Sequence, residues 1–184
     1  MRATDALDKA GLTSPDAIFV KQGSISVNYQ EAVSMSHRIA SKIQSMGITV
    51  GTRVAFLSPN DWRGLIFMYG LWRAGMVLVP VNVRNSPVLN AGILRQHKPS
   101  AMVYHSQVTS LAAHVKEELH SLPQWCCLDR QDDETPSLID WMAPLGSIAK
   151  DLPNDPLTPW TLYSTSGTTG SSKGVMHTHL SNYV

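Results

Sequence analysis

Eleven consecutive residues, Ser164, Thr165, Ser166, Gly167, Thr168, Thr169, Gly170, Ser171, Ser172, Lys173 and Gly174, carry seven hydroxyls, three glycines and one lysine. Backbone N–H groups, side-chain O–H donors and one mobile positive charge are the equipment for holding a polyphosphate. Glycine lets the backbone bend around an anion at no steric cost. Each hydrogen bond to a charged oxygen contributes about 1.5–3 kcal/mol, so several of them orient a triphosphate without a deep pocket. A flexible Ser/Thr/Gly linker has the same composition. The flanks argue against a linker: an apolar run at 160–163 precedes the segment, Val175 and Met176 follow it, and the lone lysine sits between two small residues.

Two other motifs compete for the same residues. A Walker A loop has glycine directly before its lysine and Ser or Thr directly after, where this sequence has Ser172 and Gly174. Gly170, Ser172 and Gly174 match the G-x-S-x-G pattern of serine hydrolases, in which Ser172 is the nucleophile. That elbow needs strand, sharp turn and helix in immediate succession, and here the residues before it read as loop. His177 and His179 share a face if 175–179 is extended, but two ligands are too few for a metal site; packing beside the next helix is the plainer expectation.

The elements that must position this loop alternate along the chain. Residues 19–21 and 25–27 flank Gly23 as a hairpin. Asn28 and Glu31 form a capping box for a helix with the apolar stripe Ala32, Ile39, Ile43 and Met46, ended by Gly47. An apolar run at 54–57 reads as a strand. Residues 59–61 offer a cap for a helix over 62–74, where Trp62, Leu65, Met68 and Trp72 read as core. A strand at 77–81 leads to Ser86 and Pro87, a cap and first-turn proline for a helix to about His97. Residues 101–105 read as strand, Ser106 as the cap of a helix with Val108, Leu111, Ala112, Val115 and Leu119 inside, and 125–128 as strand. Residues 129–159 read as an irregular connection around a short helix at 137–142. Continuous apolar strands alternating with helices predict an α/β fold: a doubly wound, mostly parallel sheet covered on both faces. Ligands of such sheets bind beyond the C-terminal ends of the strands. Asn82 and Arg84, just after one strand, are therefore further candidates.

The chain has 184 residues, 43% hydrophobic and 16% charged, with a net charge of +1. That composition excludes a disordered polyelectrolyte. It offers no basic patch to draw in nucleic acid. No apolar h-region follows the basic start, so the expected location is the cytoplasm. The most apolar stretch, 65–72, falls short of the roughly 20 residues a membrane helix needs. Cys126 and Cys127 are adjacent, which gives no metal-ligand spacing and a strained bridge at best; two buried reduced thiols are expected.

Residues 162–174 resemble the phosphate-binding signature of the AMP-forming acyl- and aryl-CoA ligases, luciferases and peptide-synthetase adenylation domains, Thr-Ser-Gly-Thr-Thr-Gly followed by Pro-Lys-Gly. The hexad is intact at 165–170, and Ser172 replaces the usual proline. Residues 27–31 and 71–82 are similar to two upstream segments of that family, and the Val-Pro-Val-Asn-Val-Arg run at 79–84 looks more like CoA ligases than peptide synthetases. The resemblance implies a carboxylic acid activated by ATP to an acyl-adenylate with release of pyrophosphate, and transfer to a thiol, with CoA the expected co-substrate. By matching positions, Thr165, Ser166, Gly167, Thr168, Thr169, Gly170, Ser171, Ser172 and Gly174 wrap the phosphates. Lys173 offsets charge on the departing pyrophosphate, and Thr165 helps ligate Mg²⁺. It also implies that residues 1–184 are the N-terminal portion of the adenylation domain and inactive alone. The alternative is a non-catalytic module that binds nucleotide phosphates; its incomplete sheet would expose apolar surface and favour self-association.

Overall fold

The computed structural model describes residues 2–119, 124–130, 135–142, 149–150, 152, 155–165 and 173–182. Two helices bracket a hairpin at the start: α1 (Ala3–Thr13), β1 (Ile18–Gln22), β2 (Ile25–Asn28) and α2 (Tyr29–Ser45). The alternating part follows as β3 (Arg53–Leu57), α3 (Trp62–Arg73), β4 (Val77–Val81), α4 (Pro87–His97), β5 (Ala101–Tyr104), α5 (Thr109–Leu119) and β6 (Gln124–Cys127). A short α6 (Leu138–Met142) precedes β7 (Pro159–Thr165) and β8 (Lys173–Thr178). The main sheet has the order β6-β5-β3-β4-β7-β8. Its first five strands are mutually parallel, and β8 returns antiparallel against β7. The doubly wound α/β expectation holds.

Local chemistry accounts for most helix starts. Asn28 Oδ1 accepts from the Glu31 amide at 2.8 Å, and Glu31 Oε2 accepts from the Asn28 amide at 2.9 Å, the expected capping box. Asp61 caps α3 through the Arg63 amide, and Ser86 caps α4 ahead of Pro87. One cap differs from expectation. His105, not Ser106, is the capping residue of a 3₁₀ turn over Ser106–Val108 that leads into α5: its Nδ1 accepts from the Gln107 amide at 3.1 Å. Ser106 is committed instead to Asp129, donating from both its amide and its hydroxyl.

The sequence predicts no element before residue 19, so α1 is new. It is held by tertiary contacts: the Arg73 guanidinium donates to the Asp8 carboxylate at 3.0 Å, and Arg2 donates to the Leu152 carbonyl. The sheet divides its side chains by strict alternation. Val54, Phe56, Leu78, Val103 and Cys126 face α1, α2, α3 and α6, while Ala55, Leu57, Val77, Val79, Met102 and Cys127 face α4 and α5. Each fully buried aliphatic side chain contributes about 1.5–3 kcal/mol. Cys126 and Cys127 are both buried and free, and their opposite faces explain why they do not pair. In α3 the innermost residues are Ile66, Phe67 and Leu71; Trp62, Met68 and Trp72, expected as core, pack half-buried around them. Gly70 allows the close crossing of α2 and α3, since a Cβ there would lie 2.6 Å from Ile39. β8 is one of the two outer strands of the main sheet, and Val175 and Met176 on it are exposed. Among the described residues, no helix is long and apolar enough to cross a membrane.

Candidate functional site

The polyphosphate candidate is the closed end of a hairpin. β7 and β8 pair in the register Leu162↔Met176, Tyr163↔Val175, Ser164↔Gly174 and Thr165↔Lys173. Ser164, Thr165, Lys173 and Gly174 therefore belong to strands, and only residues 166–172 separate them. Ser166, Gly167, Thr168, Thr169, Gly170, Ser171 and Ser172 lie outside the described residues. The mouth is stitched by Thr165 Oγ1, which donates to the Lys173 carbonyl at 3.2 Å. Because β7 runs parallel to β4, with Leu78 opposite Thr161, Thr165 leaves the sheet at the edge where β3, β4 and β5 also end. That edge is where parallel sheets bind ligands. Lys173 is exposed there. A strand, not a helix, begins at Lys173, so the helix that a nucleophile elbow needs directly after its serine does not follow position 172.

The stem of the hairpin has an anchor that the sequence did not reveal. His97, the last residue of α4, is 3% exposed, and its Nε2 lies 2.8 Å from Ser164 Oγ. Gly174, cross-strand from Ser164, makes room for the ring: a Cβ at 174 would sit 2.7 Å from His97 Cε1 and 3.1 Å from Leu162 Cδ1. Gly174 lies in β8, and its lack of a side chain gives the ring its space. Burial, reinforced by the Arg53 charge, holds His97 below the ordinary histidine pKa, so the ring is biased to neutral. Arg53 also donates to the His97 carbonyl at 2.8 Å, fixing the end of α4. The sequence marked His97 only as the end of a helix; nothing local ties it to a serine 67 positions onward.

The remaining candidates make contacts of their own, although Asn82 follows β4 at the same edge of the sheet as Thr165. Asn82 serves the turn after β4: its Oδ1 accepts from the Arg84 amide, and its carbonyl accepts from buried Asn90. Arg84 is exposed. His177 meets Tyr163 edge-to-face, at 5.2 Å between centroids. His179 is buried, stacks on Trp160 and accepts the Ala3 amide through Nδ1 at 3.1 Å. Its pKa is lowered by burial and then by Arg2, so it serves as a neutral clamp on α1. Among the described residues, no group of three or more His, Cys, Asp or Glu side chains is arranged to hold a metal ion.

A second polar cluster lies at the ends of β3, β5 and β6. His105 is buried, with Nε2 3.3 Å from Asp129 Oδ2 and 3.6 Å from Asp61 Oδ2. Its Nδ1 accepts a backbone amide, which leaves the ring proton on Nε2, facing the acids. Burial raises the Asp129 pKa, but the Ser106 hydroxyl and amide, with His105 behind them, outweigh it and hold the carboxyl below its ordinary value. These groups bond to one another and latch three strand ends together. A cleft of about 780 Å³ lined by Met46, Phe67, Met102, Cys126 and Trp141 opens between α2, α6 and the sheet; neither β7 nor β8 contributes to it.

Comparison with known proteins converges on one family. A family model described as "AMP-binding enzyme" matches residues 7–184. A feruloyl-CoA synthase of Amycolatopsis sp. is 31% identical over 167 residues, covering 90% of this chain and 31% of that protein. The long-chain-fatty-acid–CoA ligase FadD13 of Mycobacterium tuberculosis is 30% identical over 167 residues, covering 84% of this chain and 30% of the ligase. The chain thus spans under a third of the length of these relatives. Among solved structures, the anthranilate CoA ligase AuaEII in complex with anthranoyl-AMP superposes with a TM-score of 0.88 at 18% identity, over 97% of this chain and 35% of that one, a likeness of fold.

Proposed function

Because the chain belongs to the AMP-binding enzyme family, we propose that it carries the phosphate-binding loop of a ligase that activates a carboxylic acid with ATP and transfers the acyl group to a thiol. A carboxylate oxygen attacks the α-phosphorus, the bond from that phosphorus to the bridging oxygen of the β-phosphate breaks, and pyrophosphate leaves. The thiol then displaces AMP from the acyl-adenylate. The observation that carries this reading is the β7–β8 hairpin, which closes the Ser/Thr/Gly segment between Thr165 and Lys173 at the ligand-binding edge of the sheet. Thr165, Ser166, Gly167, Thr168, Thr169, Gly170, Ser171, Ser172 and Gly174 are assigned to the β- and γ-phosphates. Lys173, exposed at the hairpin mouth, is assigned to the charge that grows on departing pyrophosphate. Thr165 Oγ1 is the protein oxygen that would help hold Mg²⁺, which would supply screening of the nucleotide's phosphate charge. CoA is the proposed acceptor, favoured by the run at 79–84 and by relatives whose names are those of CoA synthases and ligases.

The test is Lys173→Ala in the full-length protein that carries this chain. Loss of a charge that acts mainly on the leaving group lowers kcat of ATP–pyrophosphate exchange about 10²–10³-fold, with a much smaller change in KM. A variant that retained wild-type kcat would remove Lys173 from the chemistry.

A further inference from the structure

The assignment of the loop to phosphates leaves open what holds the strand ends that flank it. We propose that His97 is a positioning residue for the phosphate-binding loop, acting through Ser164 to fix the stem of the β7–β8 hairpin. The inference rests on the phosphate reading of the loop given above and adds to it a residue from a different layer of the fold.

Three observations converge. His97 projects from the inner end of α4 into the space beside β7, and its only exposed surface is 3% of the residue. Its Nε2 meets Ser164 Oγ at 2.8 Å, one residue before Thr165 and the start of the loop. The facing strand has glycine at the one position where a side chain would strike the ring. Ser164 and Gly174 are cross-strand partners, so a single imidazole touches both sides of the same rung. The next rung outward is Thr165 with Lys173, the two ends of the phosphate segment. A shift of the ring therefore moves both arms of the loop together.

An apolar side chain of similar size would fill this space without the desolvation that a buried imidazole suffers. What histidine adds is the directional bond to Ser164, which sets the hydroxyl inward and ties β7 to α4. The ring is itself fixed from behind, since Arg53 holds the carbonyl of the same residue. A chain of contacts from β3 through α4 thus reaches the loop stem. Loop residues placed to within a fraction of an ångström are what anion binding by preorganised amides requires.

The experiment titrates this chain with sodium pyrophosphate in the presence of magnesium, by calorimetry, and compares His97→Phe, His97→Gln, Ser164→Ala and the His97→Phe/Ser164→Ala pair. His97→Phe keeps the bulk and removes the bond, and is expected to weaken pyrophosphate binding about 5-fold, as is Ser164→Ala. The double variant is expected to lose no more than either single one, because both remove the same bond. His97→Gln, whose amide reaches the same hydroxyl, is expected to restore affinity to within about 2-fold. Unchanged affinity in His97→Phe overturns the proposal, as does failure of glutamine to rescue or a double variant whose losses multiply to about 25-fold. If His97→Phe does not fold, Ser164→Ala and His97→Gln decide on the same readout. Absence of pyrophosphate binding in the unsubstituted chain instead overturns the phosphate reading of the loop itself, and the positioning role with it.

Discussion

Gly174→Ala perturbs the stem of the loop by a single methyl group. The added Cβ would lie 2.7 Å from His97 Cε1, whereas carbon atoms rest at about 3.5 Å or more, so the imidazole must retreat by about 0.8 Å. It cannot swing into solvent, being 3% exposed, and Leu162 Cδ1 at 3.1 Å blocks the methyl from leaning the other way. A retreat of that size carries Nε2 from 2.8 Å to beyond the range of a hydrogen bond with Ser164 Oγ. The lost bond costs about 1 kcal/mol and the overpacking about 1–3 kcal/mol, giving a destabilisation of about 2–4 kcal/mol. For a domain of this size that is a fall in Tm of about 4–16 °C, read by circular dichroism. The same substitution in a His97→Ala background meets no ring, and there its added cost should fall to about 1 kcal/mol or less. Equal costs in the two backgrounds would refute the close-approach explanation for glycine at 174.

Two further outcomes follow from the same geometry. His97 and His179 are both held below the ordinary histidine pKa of 6.5, so the unfolded chain binds more protons than the folded one just below that pH. Stability is fully present above about pH 6.5 and is lost as the pH falls from there through the depressed folded-state values, by up to about 1.4 kcal/mol per pH unit for each group. Thermal unfolding between pH 7.5 and 5 should show this slope, and His97→Gln should flatten it; an unchanged slope would place the titration elsewhere. The purified 184-residue chain should give no ATP–pyrophosphate exchange above background, and measurable exchange would contradict the expectation that these residues are inactive alone.

Signals that are local in sequence were legible. The box formed by Asn28 and Glu31 and the Ser86–Pro87 start of α4 stand where the sequence places them, and of the cap offered at 59–61 it is Asp61 that serves; each depends on side chains within three residues of the amides they satisfy. Ser106 shows the limit of such reasoning. Its hydroxyl had a local amide to accept from, but the carboxylate of Asp129, brought close by the β5–β6 pairing, is the stronger partner, and His105 takes over the cap. α1 was invisible for a related reason. It buries only Ala3, Thr4 and Leu7, too narrow a stripe to show a period, and depends on Asp8, Ala3 and Arg2 finding Arg73, His179 and Leu152 far along the chain.

The loop itself divides along the same line. The phosphate chemistry proposed for it rests on hydroxyls, glycines and a lysine within one short stretch, and composition records those residue types directly. Its support could not be read, because a stem is rigid only through contacts from another layer. His97 looks like an ordinary helix end in sequence, and Gly174 looks like one more flexible residue in a glycine-rich run. Only when α4 is laid against β7 does the glycine become a cavity shaped for the histidine, and the histidine a partner for the serine opposite that glycine. A substitution that keeps the loop's composition but fills that space should therefore impair phosphate binding as surely as one that removes a hydroxyl from the loop.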